Sequence, residues 1–319
     1  QAPAVPAAVL APASDSGVQG DGRTNDSTPT IQGGGASPGD RITVTMPGTG
    51  EVLSAIVAGD GTWSVTPARP LPDGTTGSAQ VVASDAAGNT SGPASVPLTI
   101  DLSAPSAPAA ALAASSDTGI AGDRITGDST PTVNGTGTPG DTITLKDGNT
   151  VLGTAVVAAD GNWSITPSSP LSDGVHPFKL TATDPAGNTG TATDLPITID
   201  TTAPVITVTS VAGDAVDNDP STPATAEGVF DAAERGSNPT SVATLPAISG
   251  TTTAEAGQTV SVTINGRTVQ AIVQAGTTST PNTWSAVLSQ ADALTLNHGN
   301  TYTMTASVTD RAGNPGLDT

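Results

Sequence analysis

The sequence predicts an all-β chain made of tandem β-sandwich domains, and three observations carry that prediction. Trp63 and Trp163 stand one hundred residues apart in matching frames, Asp60-Gly61-Thr62-Trp63-Ser64-Val65-Thr66-Pro67 and Asp160-Gly161-Asn162-Trp163-Ser164-Ile165-Thr166-Pro167. A period this long marks whole repeated domains and not the turns of a solenoid. Between such landmarks lie short alternating apolar runs, Thr142 to Leu145 and Phe178 to Thr183 among them, broken by Gly, Pro, Asn and Asp clusters. Composition agrees: 37 Gly, 27 Pro and only 4 Glu in 319 residues leave little from which to build helices.

The repeat is punctuated by Leu98-Thr99-Ile100-Asp101-Leu102-Ser103-Ala104-Pro105 and Ile197-Thr198-Ile199-Asp200-Thr201-Thr202-Ala203-Pro204. In both, an alternating strand gives way to one carboxylate, then to small residues and a proline that cannot continue a ladder. These breaks predict domains at 1–102, 103–201 and 202–319. Pro38-Gly39-Asp40 recurs as Pro139-Gly140-Asp141, Asp26-Ser27-Thr28-Pro29-Thr30 as Asp128 to Thr132, and Asp85-Ala86-Ala87-Gly88-Asn89 as Asp184-Pro185-Ala186-Gly187-Asn188. Seven or so short strands in roughly 100 residues is the arithmetic of an immunoglobulin-like sandwich. Trp63 and Trp163 then serve as large core residues, with a surface aromatic for sugar stacking as the rival reading.

The third domain keeps the plan with other wording. Val260 to Val269 reads as a hairpin, Trp284 follows, and Thr303 to Thr309 leads into Asp310-Arg311-Ala312-Gly313-Asn314. Its early loop is long and acidic, with Asp214, Asp217, Asp219, Glu227, Asp231 and Glu234, and its last strand is expected to be incomplete.

Charge narrows the function classes. The chain holds 25 Asp and 4 Glu against 9 Lys plus Arg, a formal net charge of -20. Such a surface repels nucleic acid and anionic lipid. Cysteine is absent, which removes disulfides and thiolate metal sites. No apolar run approaches the ~20 residues of a membrane helix, and Gln1 to Pro12 lacks the regions of a signal peptide, so the chain reads as an internal fragment of an exported protein. An enzyme is not expected. His176 and His298 match no metal or triad spacing, and Lys146 and Lys179 lack the aromatic setting of an isopeptide crosslink.

Aspartate is the residue that turns and cation loops select. Alternation of strand direction assigns each loop to one end of its sandwich. At the first joint Asp15, Asp21, Asp26, Asp73 and Asp101 then face Asp141, Asp160 and Asp184. At the second, Asp117, Asp123, Asp128, Asp173 and Asp200 face Asp310. Two carboxylates at ~4 Å repel by roughly 1 to 4 kcal/mol, and almost no Lys or Arg is on hand. Ca2+, which takes six to eight oxygen ligands, resolves the conflict. Turn chemistry stands beside ligation for each of these: Asp26 and Asp128 precede Ser-Thr-Pro, and Asp85 and Asp184 open tight turns.

At Asp-x-Ala-Gly-Asn, Asp-Gly-x-Trp-Ser and Ile-Asp-x-x-Ala-Pro the chain resembles the bacterial immunoglobulin-like repeats of giant secreted, biofilm-associated adhesins of the RTX type. The resemblance spans the first two domains and most of the third. It implies an elongated rod of sandwiches exported to the cell surface, with calcium between neighbours. Residue by residue it supports Asp101 and Asp200 as linker ligands, Asp184 and Asp310 as ligands from the following domain, and Asp117, Asp123 and Asp128 as a loop cluster. Gln258 stands where Pro-Gly-Asp has its aspartate. The function so implied is a structural stalk for adhesion or biofilm formation, with a glycan- or host-protein-binding module as the alternative. Its partners would be neighbouring repeats of the same longer chain and a cellular or abiotic surface reached through other domains. The fragment itself is expected to be a monomer that inserts into no membrane.

Overall fold

The computed structural model describes residues 1–212, 247–293, 295–296 and 302–319. The long acidic loop of the third domain and His298 lie outside the described residues. The first repeat contributes β1 (Ala7–Leu10), β2 (Arg23–Thr24), β3 (Ile31–Gly34), β4 (Arg41–Thr45), β5 (Val52–Ile56), β6 (Trp63–Val65), β7 (Thr76–Ser84) and β8 (Ala94–Ile100). The second contributes β9 (Ala109–Leu112), β10 (Ile125–Thr126), β11 (Val133–Thr136), β12 (Thr142–Asp147), β13 (Thr150–Val156), β14 (Asn162–Ile165), β15 (Gly174–Thr183) and β16 (Thr193–Ile199). The third contributes β17 (Ile206–Ala212), β18 (Ala247–Thr252), β19 (Thr259–Ile264), β20 (Arg267–Ile272), β21 (Asn282–Val287), the single-turn α1 (Gln290–Ala293), β22 (Met304–Thr309) and β23 (Pro315–Asp318).

Two sheets serve each repeat. Their orders are β1-β3-β6 with β2-β8-β7-β4-β5, then β14-β11-β9 with β10-β16-β15-β12-β13, then β17-β18-β21 with β20-β19-β22-β23. In the first repeat alternate residues of β4, β7 and β8 turn inward, so Ile42, Val44, Val81, Leu98 and Ile100 meet Ile31 and Trp63 from the facing sheet in one core. Trp63, Trp163 and Trp284 are all buried, which decides for core over sugar stacking. The last strand, β23, is present as four residues paired with β22.

One pairing departs from the uniformly antiparallel sandwich read from the sequence. The two-residue β2 runs parallel to β8, with Thr24 opposite Ile100, and β10 runs parallel to β16 in the same way. Asp101 N–H then donates to Thr24 O and Asp200 N–H to Thr126 O. This draws the acidic loop after the first strand alongside the exit of the same repeat.

The chain forms two compact units. One holds residues 1–111, 133–166 and 177–195, the other residues 112–132, 167–176 and the described part of 196–319. The first unit holds both sheets of the first repeat and most strands of the middle one, and the second holds both sheets of the third repeat with the loops and strand ends at the far end of the middle one.

Within the first core, Leu98→Ala removes a side chain that is 1% exposed and should destabilise that repeat by about 3 kcal/mol, while Val52→Ala at an open edge should change it by under ~0.5 kcal/mol. Urea unfolding followed by Trp63 fluorescence, with the other two tryptophans replaced by Phe, measures both.

Candidate functional site

In the first unit the loop after β1 is shaped by its own aspartates. Asp26 accepts from Ser14 Oγ (2.7 Å) and from Thr28 N–H (2.9 Å), and Asp21 accepts from Arg23 N–H (2.8 Å). Buried Asp15 takes Gly20 N–H on one oxygen, while the other has no partner. So built, the loop presents Ser16-Gly17-Val18 to the turn Asp184–Asn188 of the second repeat. Val18 N–H donates to Pro185 O (2.9 Å) and Ser16 Oγ to Ala186 O. Gly17 has φ +65°, and a Cβ there would lie 2.1 Å from Pro185 O, so only glycine fits.

The turn itself is closed by its first and last residues. Asp184 accepts from Asn188 N–H and from Asn188 Nδ2, both at 2.9 Å. Asn188 Nδ2 also donates to the carbonyl of Asp101 (2.8 Å), tying the exit of one repeat to the following one. Asp73 fixes the linker beyond that exit, accepting from Leu102 N–H and Ser103 Oγ, which lowers its pKa.

The second unit repeats the arrangement. Ile120 N–H donates to Arg311 O (3.1 Å), Thr118 Oγ1 and Gly127 N–H donate to Ala312 O, and Gly119 makes the same close approach as Gly17. Asn314 Nδ2 bonds to Asp310 Oδ2 (3.0 Å) and to Asp200 O (2.8 Å). Asp128 accepts from Ser116 Oγ and Thr130 N–H, and Asp117 from Gly122 N–H with its other oxygen orphaned. Asp173 receives Thr201 and Thr202, as Asp73 receives the first linker.

The two sites differ in charge. Arg311 sets Nε and Nη2 on one oxygen of Asp123, at 3.2 and 3.0 Å, and its own N–H on Glu255. The second joint thus has an internal counter-ion that the sequence reading did not supply. The first joint has Pro185 at the corresponding position. There Asp141 is 3% exposed, its Oδ2 has no partner, and burial together with Asp184 and Asp101 pushes its carboxyl above the ordinary range. Gln258 takes that place in the third repeat, and Asp200, Glu255, Asp310, Thr202 and Thr253 line a shallow cleft.

Among the described residues no three His, Cys, Asp or Glu side chains converge as a ready metal cage. The donors that are present, carboxylate and hydroxyl oxygens with an orphaned buried carboxylate oxygen at Asp141, match a hard cation in kind. Asp160 caps its own turn through Asn162 and is fully exposed.

Sequence reasoning missed Asn188, Asn314, Gly17, Gly119 and Arg311. The recurrence of Ser16-Gly17-Val18 as Thr118-Gly119-Ile120 was the available signal for the glycines, and the shared Asn of Asp-x-Ala-Gly-Asn for the amides.

A carboxyl that titrates higher in the fold than in the open chain weakens the fold above its folded pKa, and that penalty fades as pH falls to the unfolded value. In metal-free buffer Asp141→Asn should therefore raise stability at pH 7, with the gain shrinking as pH falls through the carboxylate range. Urea midpoints for both proteins between pH 3 and 8 check this.

A family model described as bacterial Ig-like domain matches residues 2–102 and 104–201. No curated protein matches the chain in sequence. Among solved structures the chain is similar to a 1.5-MDa bacterial ice-binding adhesin (24% identity over 100% of this chain and 98% of that one, TM-score 0.32). It is also similar to a Ca2+-stabilized adhesin that helps an Antarctic bacterium bind ice (27% identity, 99% and 73%, TM-score 0.36). A third similarity is to the BSP domain of a biofilm-associated protein (21% identity, 62% and 30%, TM-score 0.23). Two consecutive matches take in well over half of the residues, and the chain belongs to the bacterial Ig-like domain family.

Proposed function

We propose that this chain is a spacer segment from the stalk of a bacterial cell-surface adhesin, held outside the cell, with calcium at the joints between repeats stiffening the stalk as a rod. The observation that carries this reading is Asp141, buried beside Asp101 and Asp184 with one oxygen unpartnered and, among the described residues, no ion pair to it. Family membership and the tandem order of the repeats support the spacer role. No helix among the described residues is long and apolar enough to cross a membrane.

In this reading the chain's residues divide the work. Asn188 and Asn314 hold the exit of one repeat against the turn of the next, and Gly17 and Gly119 allow the close approach. Asp73 and Asp173 keep the linkers from swinging by accepting from the residues just past each exit. Asp101, Asp141 and Asp184 at the first joint, and Asp200 and Asp310 at the second, would hold the ion, with Asp15, Asp21, Asp26, Asp117, Asp123 and Asp128 in the adjoining loops. Bound calcium supplies positive charge that offsets carboxylate repulsion, and affinity should lie near ~10⁻⁴ to 10⁻³ M, the range of extracellular modules. The first and third repeats each have a core of their own, so the ion would act on joint geometry more than on strand content.

Small-angle scattering in calcium and then in EGTA should show a maximum dimension that falls on chelation, with an unchanged far-ultraviolet spectrum. The same maximum dimension in both buffers would refute the calcium-stiffened stalk.

A further inference from the structure

The turn that receives a neighbouring loop occurs three times in this chain, at Asp85–Asn89, Asp184–Asn188 and Asp310–Asn314. All three are closed in the same way. In the first, Gly88 N–H donates to Asp85 O (3.1 Å), Asp85 N–H to Asn89 O (3.1 Å), Asn89 N–H to Asp85 Oδ1 (2.9 Å) and Asn89 Nδ2 to Asp85 Oδ2 (2.7 Å). The central glycines share one left-handed conformation, with φ +85° at Gly88, +92° at Gly187 and +92° at Gly313. Geometry is therefore set by the turn's own residues and not by the loop that covers it.

Cover is what differs. Ala186 and Ala312 are both 0% exposed beneath Ser16-Gly17-Val18 and Thr118-Gly119-Ile120, whereas Ala87, Gly88 and Asn89 are all exposed. At the covered turns the carbonyls of residues two and three accept from the incoming loop, and the asparagine amide reaches the carbonyl of the exit aspartate. The first turn holds the same carbonyls, Ala86 O and Ala87 O, and the same amide, preformed and facing solvent.

We infer that Asp85–Asn89 is a docking socket for a Ser/Thr-Gly-Val/Ile loop on a further bacterial Ig-like repeat joined ahead of Gln1. This rests on the stalk reading, and names the chemistry of the partner at its joint. Two occupied copies in the same chain identify the occupant: a loop whose first residue has a hydroxyl, whose second lacks a Cβ, and whose third donates its N–H. The residue after the aspartate tunes the fit. Arg311 selects a loop bearing Asp123, while Ala86, like Pro185, demands no charge and accepts a wider set of loops.

Asp15 and Asp117 are 102 residues apart, so a copy of residues 1–102 placed directly before Gln1 reproduces the native joint spacing. Amide hydrogen exchange on this extended chain reads the Val18 counterpart in the added copy against Val18 itself. Its exchange should be slowed to within ~10-fold of Val18, and Asn89→Ala, a change at an exposed side chain, should release the added loop while leaving Val18 protected. An added loop that exchanges as open chain, or that stays protected when Asn89 is removed, would overturn the socket. The measurement is made in calcium and in EGTA. Protection that persists in EGTA supports the socket even where scattering refutes calcium stiffening, so the two failures are separable.

Discussion

Twenty-nine acidic residues share nine lysines and arginines in this chain, and that shortage governs which partners the carboxylates of the described residues find. Many of those described take amide and hydroxyl donors supplied by their own turns in place of an ion pair. Asp26 and Asp128 take Ser and Thr hydroxyls with backbone N–H groups, Asp85, Asp184 and Asp310 take asparagine, and Asp73 and Asp173 take the linker that follows. At Asp73, Asp85 and Asp173 these bonds hold the carboxyl below its ordinary range, and throughout they fix backbone shape. The acidic composition is thus converted into stiff turns before any ion is considered.

Where turn donors run out, the two joints take different courses. At the second, Arg311 and the neutral Gln258 relieve the charge, and Asp123 has a guanidinium on it at 11% side-chain exposure. At the first, Pro185 and Asp141 replace them, leaving a buried carboxylate in the field of two others. Three like charges gathered in low dielectric repel strongly unless a cation offsets them. The first joint should therefore respond more strongly to added cations than the second, although hydrogen-bond geometry across the two is nearly identical.

Much of the fold was legible because its signals are periodic. Alternation at Thr142 to Leu145, the Asp-Gly-x-Trp frames and the Ile-Asp break each specify a local structure with one solution. Chain direction brings Asp101 and Asp184 to one joint, but it does not show that Asp160 caps its own turn through Asn162. What could not be read was pairing that depends on distance in space. Nothing in the sequence marks Arg23–Thr24 as a parallel strand, because two residues show no period. Nothing in the Asp310–Asn314 frame marks Arg311 as the partner of Asp123, 188 residues away in sequence. The role of Gly17 and Gly119 is steric and is visible only once Pro185 O and Arg311 O lie where a Cβ would be.

The central claim is that the first joint's unpaired carboxylate is there to meet a divalent cation. Anomalous diffraction from crystals grown in calcium tests it most directly. The account predicts a peak bonded to Asp141 Oδ2 with Asp101 and Asp184 in its coordination sphere. A structure at the same calcium concentration with no peak there, and with Asp141 protonated and hydrogen-bonded to a neighbouring carbonyl or carboxylate, would contradict it.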